Sequence, residues 1–506
     1  MAQQPSIDGL STEHLHADLK GRSVRGGLLT LTSQGAQFLI QSVSTVVLAR
    51  LLTPADFGLV AMVTAITGLA NAFADLGLSE ATIQRKEINH NQVSTLFWIN
   101  VAVGLGLMLA TAASGPLLAW FYREPQLKGI ALAVSLSFLI AGLGNQPQAL
   151  LKRQMRYVSL AIRDISSYVV AVLVAVTMAW RGAGYWALVS LPLTLNATQV
   201  VLSWLMVRWR PGLPRRDPSI PSMVAFGGNV AASYFISNVT RSVDNVLIGW
   251  YWGAGPLGFY SRAYNLLMLP VRQLTAPAAS VAVPAFSRLQ SDPDRFARYY
   301  LRAASLMTWI TAPLFGFLFV AAQPVIVLVL GRQWRDAAPV FQFLAVCGLA
   351  QLHFQSTMWL FVSRGQSAKL LKLLLITSPI LIASFAIGLP FGIKGVALAG
   401  SLVLIAMLPW AMHFTFRGTS ITLKQLWQAI VYPISLCAAG IVLAELALKT
   451  FRTQHDVSRL LVAALGFASA YAFAALIRPV REEVMSFKSL IGAVGVGTQA
   501  AESAGR

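Results

Sequence analysis

Thr95-Leu96-Phe97-Trp98-Ile99-Asn100-Val101-Ala102-Val103-Gly104-Leu105-Gly106-Leu107-Met108-Leu109-Ala110-Thr111-Ala112-Ala113-Ser114-Gly115-Pro116-Leu117-Leu118-Ala119-Trp120 is a run of 26 residues without a single Asp, Glu, Lys or Arg. A helix of about 20 apolar residues crosses the hydrocarbon core of a bilayer, so this run is long enough on its own. Runs like it recur from residue 27 to residue 477. The whole chain of 506 residues is 56% hydrophobic and 11% charged, less than half the charge of an ordinary soluble domain, which is about a quarter charged. A water-soluble enzyme is thereby excluded, and an all-α polytopic membrane protein is expected.

The apolar-length criterion places fourteen spans, at roughly 27–49, 57–79, 95–120, 127–150, 158–180, 184–207, 221–250, 256–285, 303–330, 337–362, 368–389, 393–416, 426–448 and 460–477. They divide the chain into a cytoplasmic polar leader (1–26), a first lobe of six helices (27–207), a basic, proline-rich linker (208–220) and a second lobe of six (221–416). Two further helices (417–477) and a tail (478–506) follow. The leader lacks the short apolar core and small-residue cleavage site of a signal peptide, so it is expected to be retained. Lys and Arg alternate in density between successive loops, 25 on one side against 10 on the other, with four inside spans. Cationic loops resist translocation, which puts both termini in the cytoplasm and, for a bacterial chain, the protein in the inner membrane. The same topology accounts for the net charge of +20 without nucleic acid, because the basic residues are scattered between spans.

The two groups of six carry a trace of repetition. Shifted by 200 residues, Ser42-Val43 and Val46 fall on Ser242-Val243 and Val246, and Pro54-Ala55-Asp56-Phe57-Gly58 falls on Ala254-Gly255-Pro256-Leu257-Gly258. Two parallel halves of six crossings around a central cavity follow from such a relation.

Ionisable groups inside spans cost several kcal/mol unless they face protein or water, so they report on that cavity. The in-span arginines are Arg163, Arg241, Arg262 and Arg272, and the acids are Asp75, Asp164, Asp244 and, apart from the others, Glu445. In the seventh span Asn229, Ser233, Ser237, Arg241 and Asp244 recur at steps of four, four, four and three, one stripe of a helix. Gln34, Gln37, Gln41 and Ser44 repeat the pattern in the first span, and Asn71 and Asp75 are spaced i, i+4 in the second. A structural role is available for each of these, with Arg241 pairing Asp244 across one turn, or Arg163 and Arg272 reaching to headgroups. Arg262 and Arg272, however, share the eighth span with no acid. An anionic substrate would neutralise them, and the planar guanidinium fork suits a diphosphate.

Gly35-Ala36-Gln37, Leu48-Ala49-Arg50-Leu51-Leu52-Thr53-Pro54-Ala55-Asp56-Phe57-Gly58 and Asp75-Leu76-Gly77-Leu78 resemble the Wzx-type polysaccharide flippases of the multidrug/oligosaccharidyl-lipid/polysaccharide exporter superfamily. So do Asp244-Asn245-Val246-Leu247-Ile248-Gly249, Leu257-Gly258-Phe259-Tyr260 and Arg262-Ala263-Tyr264-Asn265. The resemblance covers most of the chain to about residue 420, and it implies alternating access by two lobes plus two extra helices. The implied substrate is an undecaprenyl-diphosphate-linked oligosaccharide moved from the cytoplasmic to the periplasmic leaflet, with membrane lipids, a polysaccharide polymerase and a chain-length regulator as partners. The positions matching the family pattern are Arg50, Asp56, Asp75, Asp244 and Arg262, of which Asp56 equally suits a helix cap. On this reading Arg241, Arg262, Arg272 and Arg50 hold the diphosphate, while Gln34, Gln37, Gln41, Asn71, Asn229, Ser233 and Ser237 line the cavity. Asp75 and Asp244 are the candidates for ion coupling.

No metal or cofactor is expected. Cys347 and Cys437 stand far apart in apolar segments, and the six histidines do not cluster. A cation-coupled multidrug antiporter would share the twelve-helix core but have an acidic cavity. A membrane glycosyltransferase or ligase would need catalytic carboxylates or histidines beside a sizeable external loop, and no loop exceeds about 20 residues.

Overall fold

The computed structural model describes residues 19–75, 77–85, 88–215, 242–451 and 455–474. Asn229, Ser233, Ser237 and Arg241, most of the seventh span, residues 1–18 of the leader and the tail lie outside the described residues. Those described form sixteen α-helices and no strand. The helices fall into two compact units, residues 1–261 and 262–506.

The first unit contains α1 (Leu19–Leu51), α2 (Pro54–Ala70), α3 (Leu78–Gln84), α4 (His90–Tyr122), α5 (Leu127–Arg153), α6 (Tyr157–Trp180), α7 (Tyr185–Met206), α8 (described over 242–252) and the start of α9 (Ala254–Arg288). In the second unit α9 continues, followed by α10 (Pro293–Val320), α11 (Ala322–Leu330), α12 (Ala338–Ser363), α13 (Ser367–Gly388), α14 (Gly392–Phe416), α15 (Leu423–Thr450) and α16 (Asp456–Ala474). Among the described residues nine stretches are long and apolar enough to cross a membrane, one of them running from Ser367 to Phe416 through α13 and α14. Their outer surfaces carry bare Trp120, Trp180, Leu205, Ile387 and Leu465, each at least 70% exposed. Such a surface suits acyl chains and their interface, not water.

The helix count differs from the fourteen expected, and two short helices account for the difference. α3 has 7 residues and α11 has 9, too few to cross hydrocarbon. The second span, expected as one helix over 57–79, ends at Ala70. A 3₁₀ turn, Asn71–Phe73, and a left-handed Gly77 at φ 64° redirect the chain into α3. Asp75 stabilises this bend by accepting from the Ser79 hydroxyl at 2.7 Å and from the Ser79 amide. Asn71 and Asp75 therefore do not share a helix face.

Lipid is as apolar as leucine, so helices in a membrane associate through close packing more than through water exclusion. Small residues show where. α4 and α5 approach until a Cβ on Gly104 would meet the Phe138 carbonyl oxygen at 2.6 Å and one on Gly142 would meet that of Asn100 at 2.6 Å. A second reciprocal contact joins the start of α2 to the start of α9. A Cβ on Gly58 would overlap the Ala254 carbonyl, and one on Gly258 would overlap the Pro54 carbonyl. A shift of 200 residues maps 54 onto 254 and 58 onto 258, so the contact is its own image, as a local two-fold relation requires. Asp56 caps α2 in a capping box with Thr53: its Oδ2 accepts from the Thr53 amide at 2.9 Å, and the Thr53 hydroxyl accepts from the Asp56 amide at 3.3 Å.

The described part of the connector after α7 is strapped to α4. Trp209 is fully buried, stacked on Trp204 and edge-on to Phe97. The Gly212 carbonyl accepts from Trp98 Nε1 at 2.9 Å, and the Gly212 amide donates to Ser94 Oγ at 2.9 Å. Arg153, counted as a loop cation from sequence, is instead 7% exposed at the end of α5. It donates to the carbonyls of Thr82, at 2.9 Å, and of Arg85, which close the C-terminus of α3. Arg153→Met strands these buried carbonyls and is expected to destabilise the protein by about 2 kcal/mol. A melting midpoint in detergent equal to that of the parent would show that α3 is held otherwise.

In the second unit Phe286, Tyr300, Trp359 and Phe416 build one aromatic core, while α15 and α16 dock on α10 through Ala312, Cys437, Ala444 and Phe467. Cys347 and Cys437 are both free thiols, the latter donating to the Ala312 carbonyl at 3.0 Å.

Candidate functional site

α9 carries a stripe of polar and cationic residues within an apolar helix. Within the second unit Arg262, Asn265, Arg272 and Gln273 fall inside an arc of about 100° on this helix and span about 16 Å of its length. Arg262 is half-buried; Asn265, Arg272 and Gln273 are exposed. No Asp or Glu occurs on α9. Amides and guanidinium groups within an apolar helix are costly against acyl chains, so this stripe calls for protein or water beside it, and the Nε of Arg262 is itself buried. Its chemistry is that of an anion seat: two permanent cations with forked donors, flanked by two amides able to bond hydroxyls.

In the first unit, α1 exposes Gln34 and Gln41, while Gln37 turns inward by donating to Ser33 Oγ at 3.0 Å and Ser44 is buried. Asn71 is exposed on the 3₁₀ turn, and Arg50 is exposed in the last turn of α1. Gln34 and Gln41 are seven residues apart, two turns along one face of α1.

The acids are bound up in local structure. Asp75 caps the turn into α3. Asp244, 4% exposed on α8, accepts from the Tyr260 hydroxyl at 2.9 Å and from the Asn245 amide at 2.8 Å. Arg163 pairs with Asp164, Nε to Oδ1 at 2.8 Å, and its Nη1 lies 3.4 Å from Ser203 Oγ. It is therefore committed to protein, not extended to a headgroup. Buried His353 shares a 3.1 Å hydrogen bond with Thr308. Because the Thr308 hydroxyl donates to the Ala304 carbonyl at 2.7 Å, the imidazole Nε2 supplies the proton of that pair. Among the described residues no group of three or more His, Cys, Asp or Glu is placed to hold a metal ion.

Asn265 and Gln273 were not singled out from sequence. The signal was present: the same three-and-four spacing read on the seventh span, applied from Arg262, reaches Asn265, Arg272 and Gln273.

The chain matches the family described as polysaccharide biosynthesis protein over residues 47–339. It is 29% identical to the lipopolysaccharide biosynthesis protein WzxC of Escherichia coli (strain K12) over 313 residues, 61% of this chain and 63% of that one. It is 26% identical to the teichuronic acid biosynthesis protein TuaB of Bacillus subtilis (strain 168) over 444 residues, 86% of this chain and 91% of that one. Among solved structures it resembles the lipid II flippase MurJ in an inward closed conformation, with a TM-score of 0.66 at 14% identity, covering 89% of this chain and 99% of MurJ. At that identity the likeness speaks for the fold.

Proposed function

The chain belongs to the polysaccharide biosynthesis protein family, and from that premise we propose that it is a flippase that carries a polyprenyl-diphosphate-linked oligosaccharide from the cytoplasmic to the outer leaflet of the bacterial inner membrane, with both of its own termini in the cytoplasm. The observation that carries the reading is the acid-free stripe of α9, where exposed Arg272, Asn265 and Gln273 share one side of the helix with half-buried Arg262. A diphosphate entering the membrane must exchange water for donors of equal strength, and two forked cations supply them. The amides of Asn265 and Gln273 on α9 then serve the sugar hydroxyls, while the polyprenyl tail stays in lipid. Arg50 stands at the outer end of the path, and a polymerase and a chain-length regulator act on what emerges.

Export of two negative charges from an inside-negative cell is favoured by about 4.6 kcal/mol per 100 mV, so potential alone can set the direction. Asp75 and Asp244 are the acids a coupling proton or sodium ion would use, but both are engaged locally, and an asparagine at 244 keeps the bond from the Asn245 amide through Oδ1 while its Nδ2 donates to the Tyr260 hydroxyl oxygen. Asp244→Asn is accordingly expected to keep transport within about two-fold of the parent, measured as flipping of a labelled lipid-linked oligosaccharide under an imposed potassium diffusion potential. Loss of transport with the fold retained would assign ion coupling to this acid.

The function itself is tested by deleting the gene. Lipid-linked oligosaccharide is expected to accumulate on the inner leaflet, protected from external glycosidase in spheroplasts, and to become accessible on complementation. Accumulation on the outer leaflet would place the defect after translocation.

A further inference from the structure

Glu445, the acid that stood apart from the others in the sequence, opens into a cavity of about 430 Å³ in the second unit, at the end of α10 opposite its Arg295 and Arg298. Arg335, Asp336, Lys449 and Arg459 line the same cavity, contributed by the turn after α11, by α15 and by α16. Its volume falls in the range of small-molecule sites. We propose that this cavity binds an acidic saccharide on the outer face of the membrane, a second station for glycan distinct from the α9 stripe. The assignment of the outer face rests on the topology of the proposed flippase.

Three observations support it. Lys and Arg are depleted on the side that faces away from the cytoplasm, yet three of the ten found there converge on this one cavity. Glu445 and Lys449 are spaced i, i+4, the separation at which a helix pairs opposite charges. Among the described residues, however, no ion pair within 4.0 Å joins any of these five groups, so none of the charges lining the cavity is neutralised by direct pairing with another. The lining also includes the amides of Gln323 and Gln342.

The balance of groups selects the ligand. Three cations against two carboxylates leave room for one further negative charge. Carboxylates only accept, so Asp336 and Glu445 call for a ligand that brings donors of its own. Inorganic phosphate at neutral pH brings only its one or two P–OH donors on a small, strongly charged ion that the carboxylates repel. A sugar with hydroxyls and one carboxylate satisfies both sets.

The test uses the full-length protein in lipid nanodiscs, titrated with a uronic-acid disaccharide, with the same disaccharide after reduction of its carboxyl group to an alcohol, and with inorganic phosphate. The acidic disaccharide is expected to bind about ten-fold tighter than the reduced one, and Arg335→Ala with Arg459→Ala to remove about that factor. Glu445→Gln should weaken both disaccharides. Arg262→Ala should leave all of these affinities unchanged. Equal binding of acidic and reduced disaccharides, or no binding by the parent protein, overturns the proposal, as does displacement of the disaccharide by equimolar phosphate. Melting midpoints of the variants confirm that each is folded, and export measured in Arg262→Ala decides the flippase reading separately from this site.

Discussion

Arg262→Ala is expected to abolish export while the protein still inserts and folds. On the proposed reading this guanidinium makes two charge-assisted hydrogen bonds to the carrier diphosphate, and such bonds contribute about 1.5–3 kcal/mol each. Losing both corresponds to a fall in transport rate of roughly a hundred-fold or more, below the level that sustains polysaccharide on the cell surface. Lysine keeps the charge and loses the fork, so Arg262→Lys should retain an intermediate rate. Arg272, exposed on the same stripe, should behave in the same direction with a smaller loss, because water screens it more. Flipping in proteoliposomes, with protein orientation and amount matched, checks the series. Export unchanged in Arg262→Ala would remove this residue from the transport path.

The second large effect is expected where backbone meets backbone. A methyl group on Gly58 would occupy the space of the Ala254 carbonyl, and one on Gly258 that of the Pro54 carbonyl. No rotamer change relieves either clash, because the obstructing atoms are main chain. The starts of α2 and α9 must then move apart, with loss of the packing around Met62, Tyr122 and Gly249. Each alanine variant is expected to cost about 2–4 kcal/mol, the range of severe overpacking in a close contact. Since both residues hold one contact, the double variant should cost little more than either single one. Melting midpoints of Gly58→Ala, Gly258→Ala and the pair give the answer. Additive losses, or a silent single variant, would show that the contact is not shared.

The sequence made the spans legible because hydrocarbon thickness is a hard length criterion: eleven of the fourteen expected segments each overlap one described helix, the second and ninth are each divided between two helices, and most of the seventh lies outside the described residues. The repeat was also legible, but only faintly. Its best evidence, the Pro54 and Ala254 loops, is the pair that the structure brings into reciprocal contact. Two things escaped. The bend after Ala70 depends on Gly77 and on a cap by Asp75, local signals that a run of apolar residues conceals. Arg153 lay beside Lys152 and Arg156 and read as one more loop charge, whereas its target is a helix terminus about 70 residues earlier in the chain. Proximity of that kind has no signature in a single sequence. The site shows the same division: the arginines of α9 were visible because charge inside a span is costly, while Asn265 and Gln273 needed the helix drawn as a cylinder.

The central claim is that the cationic face of α9 seats a diphosphate carrier, and competition in proteoliposomes tests it most directly. Undecaprenyl diphosphate without a glycan should inhibit flipping of a labelled lipid-linked oligosaccharide, whereas the same glycan on undecaprenol without phosphate should not. If the phosphate-free compound competes as well as the diphosphate, the guanidinium groups of α9 are not the seat of the carrier.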